Sequence, residues 1–100
     1  MNDKFYGMLG LAQRARAVIS GTVACEQALK KGKADLIVLA DDAAAEVREE
    51  YMFLCTKYKI PLLTVPSKAM LGSAIGKSPR VAVVIIEQNF GRRLKELCTR

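Results

Sequence analysis

Five consecutive apolar residues, Leu36-Ile37-Val38-Leu39-Ala40, constrain this chain more than any other feature. A strand with one wet face alternates apolar and polar positions. An unbroken aliphatic run of this length fits a central strand covered on both faces. Val81 to Ile86 has the same character. Two such strands need helices above and below them, and the spacing predicts those helices. Phe5, Met8, Leu9 and Ala12 fall at i, i+3, i+4 and i+7, the apolar face of a first helix. Asn2 or Asp3 is placed to cap it, and Gly7 and Gly10 weaken it unless something packs closely there. Thr22 to Lys31 reads as a second helix burying Cys25, Ala28 and Leu29, with Gly32 where a C-terminal cap is expected.

Val47, Tyr51, Leu54, Cys55 and Tyr58 mark a third helix, with Asp41 or Asp42 as its cap. Ser67 is placed to cap a short fourth helix burying Leu71, Ala74 and Ile75. Phe90, Leu94 and Leu97 define a fifth, with Arg92, Arg93 and Lys95 outside. Ala17 to Ile19 and Ile60 to Val65 supply the remaining strands, and Pro61 puts the latter at an edge or marks its start. The order is α-β-α-β-α-β-α-β-α. It implies an α/β fold, a three-layer α/β/α sandwich around a four-stranded mixed sheet, in a single domain over residues 1–100.

The net charge is +6 over 100 residues, which favours nucleic acid or another anionic partner. The charge is uneven. Residues 51–86 hold Lys57, Lys59, Lys68, Lys77 and Arg80 and no acid, while Asp41, Asp42, Glu46, Glu49 and Glu50 crowd into residues 41–50. That asymmetry points to one cationic binding face.

Enzyme classes are poorly served. Histidine is absent, and the three cysteines, Cys25, Cys55 and Cys98, are widely spaced. This argues against zinc and against a disulfide framework, and for a reducing cytoplasm. Asp3 and Lys4 do not suit a secretion signal, and no apolar run is long enough for a membrane span. Gly76-Lys77-Ser78 imitates the end of a phosphate loop. The earlier glycine that motif needs is replaced by Leu71, a helix precedes it, and Pro79 follows. Asp41-Asp42 has no further ligands beside it, and capping is the simpler role. No catalytic residue, metal or cofactor is expected.

The candidate binding residues form two walls. Ser20-Gly21-Thr22 opens the second helix, where capping is expected and where N–H groups and the helix dipole also favour an anion. Arg14, Arg16, Lys30, Lys31 and Lys33 surround it. The glycine-bearing segment Leu71 to Lys77 forms the other wall, with Lys68, Lys77 and Arg80 around it.

These segments, in this order, resemble the kink-turn-binding ribosomal-protein superfamily (the L-seven-Ae / L-thirty-e group), and within it the small bacterial YlxQ-type members. The resemblance rests on Gly10-Leu11-Ala12-Gln13-Arg14-Ala15, Ser20-Gly21-Thr22, Ala28 to Ala34, Leu36 to Ala43, and Leu71-Gly72-Ser73-Ala74-Ile75-Gly76-Lys77. It implies binding to structured RNA. The start of the second helix would enter a widened groove beside tandem G·A pairs, and an apolar loop before the last strand would cover a flipped-out nucleotide. Carried over, one wall is Gly21, Thr22, Val23, Ala24 and Gln27, near Lys30 and Lys33. The other is Lys68, Leu71, Gly72, Ile75, Gly76 and Lys77.

This chain departs from the pattern where the well-studied binders carry an Asn-Glu pair after the Gly-Thr and a lysine three residues after the Glu. Val23, Ala24 and Gln27 occupy those positions. What remains is backbone donors, shape and Lys/Arg contacts to phosphate, which implies weaker sequence preference. The expected protein is a non-catalytic, monomeric RNA binder acting on ribosomal or other structured RNA, with neither DNA nor membrane as partner. The competing expectation is a protein-interaction adaptor of the translation machinery.

Overall fold

The computed structural model describes residues 3–98. The elements run α1 (Asp3–Arg14), β1 (Val18–Ser20), α2 (Thr22–Lys30), β2 (Leu36–Ala40), α3 (Ala45–Tyr58), β3 (Leu62–Val65), α4 (Lys68–Ala74), β4 (Ala82–Ile85) and α5 (Gln88–Cys98). This is the element order expected from the sequence. The proposed cap Asn2 lies outside the described residues, and Asp3 is already in the helix.

The sheet order is β1-β4-β2-β3. β4 lies antiparallel to both β1 and β2, and β2 lies parallel to β3. All of Leu36–Ala40 and Ala82–Ile85 is buried, as two unbroken aliphatic runs require when helices cover both faces. Leu36, Val38, Val83 and Ile85 face Phe5, Leu9, Leu71, Ile75 and Leu94. Ile37, Leu39, Ala82 and Val84 face Cys25, Ala28, Leu29, Tyr51, Leu54 and Cys55. The layers are therefore α1, α4 and α5, then the sheet, then α2 and α3. β3 is the edge strand that Pro61 foretold, and the Pro61 carbonyl still accepts from the Ile37 N–H at 3.0 Å.

Four helices leave through the same left-handed turn. After α2, the Lys33 N–H reaches the Ala28 carbonyl (3.0 Å) and the Gly32 N–H reaches the Leu29 carbonyl (3.2 Å), the pair of hydrogen bonds that terminates a helix at a left-handed residue. Gly76 plays this part after α4, but Arg16 (φ 61°) and Lys59 (φ 59°) play it after α1 and α3. Gly10 has the close neighbour its position suggested, since a Cβ there would lie 3.2 Å from the Ala74 carbonyl oxygen. Gly7 faces open space instead.

Asp41 and Asp42 do not cap α3. That helix starts behind Ala44 with no side-chain cap. Asp42 Oδ1 instead accepts the backbone N–H of Lys68 at 2.9 Å, at the start of α4. Parallel pairing sets Ala40 beside Val65, so the turns leaving β2 and β3 are neighbours. Ser67 does cap α4, its Oγ accepting the Met70 N–H at 3.1 Å.

Candidate nucleic-acid interface

The two walls meet because β1 and β4 pair antiparallel, with Ser20 opposite Val83. The exit of β1 therefore lies beside the entry of β4. Gly21 makes the turn into α2 at φ 97°, a conformation that side chains rarely tolerate. The expected capping does not occur: no side chain caps α2, and its first turn holds no acid. Ser20, the obvious candidate, has its Oγ engaged by Arg80 Nε at 3.4 Å. Among the described residues the first-turn N–H groups of α2 have no side-chain partner, and Gly21, Thr22, Val23 and Ala24 are all exposed. An uncapped, solvent-facing helix start offers both donors and positive potential to an anion.

Arg80 forms the opposite side. Its Nη1 donates to Ser78 Oγ (2.7 Å), the Ser78 carbonyl (3.1 Å) and the Pro79 carbonyl (3.3 Å). The guanidinium is pinned between its own loop and Ser20 rather than swinging free. Gly21, Thr22, Pro79, Arg80, Val81 and Ala82 line an opening of about 190 Å³. A second groove of about 160 Å³ runs along α2, lined by Ile19, Ala24, Gln27, Ala28, Lys31 and Lys33.

The second wall needs correction. Leu71 and Ile75 are buried in the core at 0% and 4% exposure, so their side chains cannot cover a nucleotide. A seven-residue helix has one face to bury, and these residues form it. Gly72 is buried too, because the returning loop lies on it: a Cβ there would run into the Ser78 carbonyl. Gly72 seats the loop that carries Arg80. The exposed members of that wall are Lys68, Gly76 and Lys77.

The cations do not form one cluster. β1, β2 and β3 run one way and β4 the other. Lys68 and Arg80 therefore lie at the sheet end that carries Gly21, and the loop bearing Lys77 returns to it. Arg14, Arg16, Lys30, Lys31 and Lys33 lie at the far end, where β1 and β2 begin. The two groups are bridged only along α2, past Ala24 and Gln27. Charge counting missed this division, as it missed the part of Ser78, whose signal was only its place beside Pro79 and Arg80.

Beneath the opening, burial pushes the Cys25 thiol up to about 11. Its Sγ lies 3.4 Å from the Ile19 carbonyl oxygen. Tyr51, raised by the same desolvation, buries a hydroxyl with no well-formed hydrogen bond beside that thiol. A protonated, buried thiol is a packing group, not a nucleophile.

Residues 3–94 match the Ribosomal protein L7Ae/L30e/S12e/Gadd45 family. The "RNA-binding protein YlxQ" of Bacillus subtilis (strain 168) is 36% identical over 94 residues, covering 94% of each chain. A protein of the same name from Enterococcus faecium is 29% identical over 95 residues, covering 95% of this chain and 91% of its own. Among solved structures, a Bacillus halodurans C protein described as of unknown function superposes with a TM-score of 0.94 at 33% identity, over 99% of this chain and 100% of its own. A Giardia lamblia 15.5kD RNA binding protein shares the fold, with a TM-score of 0.82 at 22% identity over 98% of this chain and 88% of its own. The chain belongs to the Ribosomal protein L7Ae/L30e/S12e/Gadd45 family.

Proposed function

We propose that the protein is a non-catalytic, cytoplasmic RNA-binding protein of ribosomal-protein type. It holds structured RNA at the start of α2 and on the loop that carries Arg80. One observation carries the reading: the uncapped N-terminus of α2 faces a fixed guanidinium across an opening of about 190 Å³. Backbone N–H groups, a helix dipole and the positive charge of a guanidinium whose Nε and Nη1 are held by Ser20 and Ser78 converge there, a setting suited to phosphate. Lys68 and Lys77 extend it at that end. Lys31 and Lys33 extend it along α2, where the groove lets a strand run toward the far cluster. The relatives called RNA-binding protein support the reading.

Val23 and Ala24 offer no side-chain hydrogen bonds to base edges, so shape and phosphate contacts dominate. The test is a titration against a kink-turn RNA and a duplex of equal length lacking the G·A pairs, at two salt concentrations. Binding that is tenfold tighter for the kink-turn supports kink-turn recognition by the opening. Equal binding that falls steeply with salt supports general recognition of structured RNA. Binding that ignores salt rejects the proposal.

A protein-adaptor reading has one observation in its favour. Val23 is 69% exposed at the helix start, where an apolar side chain suits a protein surface. Failure to bind either RNA would favour it.

A further inference from the structure

α3 carries an apolar face that the domain does not use. Phe53 is 65% exposed and Met52 53% exposed. The buried side of α3 is Tyr51, Leu54 and Cys55, and helical geometry turns Phe53 well away from it. The same geometry places Glu49 and Glu50 one turn before Phe53, and Glu46 two turns before. All three glutamates are exposed. Among the described residues none of them forms an ion pair, the salt bridge present being Arg93 to Glu96.

The nearby cations are turned elsewhere. Arg48 Nε donates to the Ala43 carbonyl at 3.1 Å, and Lys57 Nζ sits 5.4 Å from the centre of the Tyr58 ring. An aromatic and a methionine beside three unpaired carboxylates therefore stand out on a chain of net charge +6.

We propose that this face of α3 is a docking surface for a basic segment of a partner protein. Phe53 would anchor it, with Met52 on its flank one turn from Glu49, and Lys or Arg side chains would meet Glu46, Glu49 and Glu50. Phe and Met are enriched at interface centres, and an aromatic ring also takes a cation on its face. Charge decides the occupant. RNA is repelled by the carboxylates. A two-fold pairing of α3 with α3 would set like charges against each other. A Lys/Arg-bearing segment gains at every one of these positions. The inference does not rest on the RNA reading, since no residue is shared.

The test uses the full chain, isotope-labelled, titrated by NMR with a short synthetic peptide of Lys, Arg and Leu at physiological salt. A peptide with Glu in place of each base is the control. Amide shifts should gather on Glu46 to Phe53 with the basic peptide only. Phe53→Ser should weaken binding about tenfold with no change of charge, and Glu49→Lys with Glu50→Lys should abolish it. Phe53→Ser should keep the melting temperature and RNA affinity of the parent, because its ring contributes to neither. Shifts scattered over every surface acid and indifferent to Phe53→Ser would overturn the proposal. So would self-association of the protein alone, seen by sedimentation and removed by Phe53→Ser, because the occupant would then be a second copy.

Discussion

Arg80 Nε reaches Ser20 Oγ at 3.4 Å across 60 residues of sequence, and the same guanidinium donates to Ser78 Oγ at 2.7 Å. The cation is held by planar, multi-donor geometry that an ammonium cannot reproduce. Arg80→Lys should therefore lower RNA affinity nearly as much as Arg80→Ala, about tenfold. Lys77→Ala, which removes a solvated charge, should cost less than about threefold. A gel-shift or anisotropy titration of the three variants checks the order.

Gly72 is a steric device. The obstacle to a Cβ is the Ser78 backbone, which cannot rotate away as a side chain could. Gly72→Ala should destabilise the domain by about 1–3 kcal/mol through overpacking and displace the Arg80 loop. Denaturant unfolding reads the first effect. RNA affinity, measured well below the melting temperature, reads the second.

Arg16 and Lys59 both hold left-handed backbone, which costs a side-chain-bearing residue roughly 1 kcal/mol. Glycine at either position should raise stability by up to about 1 kcal/mol, less what its freedom in the unfolded chain removes. Arg16→Gly should also weaken RNA binding and Lys59→Gly should not. Melting curves and RNA titrations on both variants separate strain kept for function from strain that is merely tolerated.

The Cys25 thiol is pushed up to about 11 by burial, from an ordinary value of 9.0. The folded state then holds a proton that the unfolded chain releases at lower pH. This stability is fully present below about pH 9 and is lost as pH rises toward 11. For Cys25 the loss, complete once pH has passed 11, amounts to about 3 kcal/mol. Melting temperatures measured from pH 7 to 11 should fall across that window, and less steeply in Cys25→Ala.

Tyr51 is 1% exposed and buries a hydroxyl with no well-formed hydrogen bond. Leaving a buried polar group unpaired costs roughly 1–3 kcal/mol. Tyr51→Phe should therefore be at least as stable as the parent, by up to about 1 kcal/mol, in chemical denaturation. A large loss would mean that the contact with Cys25 is worth more than its geometry suggests.

Periodicity made the layers legible. Leu36–Ala40 announced a doubly covered strand, and the spacing of Phe5, Leu9 and Ala12 announced the helix above it, because burial is a local, repeating demand. Glycine and serine at helix ends were legible for the same reason at Gly32 and Ser67. Partnerships across the sheet were not. Asp42 looked like a cap for the helix that follows it and instead accepts the first N–H of α4, 26 residues away, a partnership set by the pairing of β2 with β3. Ser20 looked like a cap and serves Arg80. Leu71 and Ile75 fitted both a core face and a binding wall, and the brevity of α4 gave them to the core. The basic residues looked like one cluster, because sequence spacing does not reveal which end of the sheet each turn occupies.

The antiparallel ladder between β1 and β4 has one more consequence. The helix start and the arginine loop grow from adjacent strands whose rails lie about 4.8 Å apart, and Ser20 opposite Val83 is the last rung before they part. The mouth of the opening inherits its gauge from the sheet, while the turns set only its depth. Residues inserted into the Gly76 to Pro79 turn would lengthen the reach toward a ligand and leave the spacing at the base unchanged. Variation in this part of the chain can therefore alter what is grasped without rebuilding the jaw.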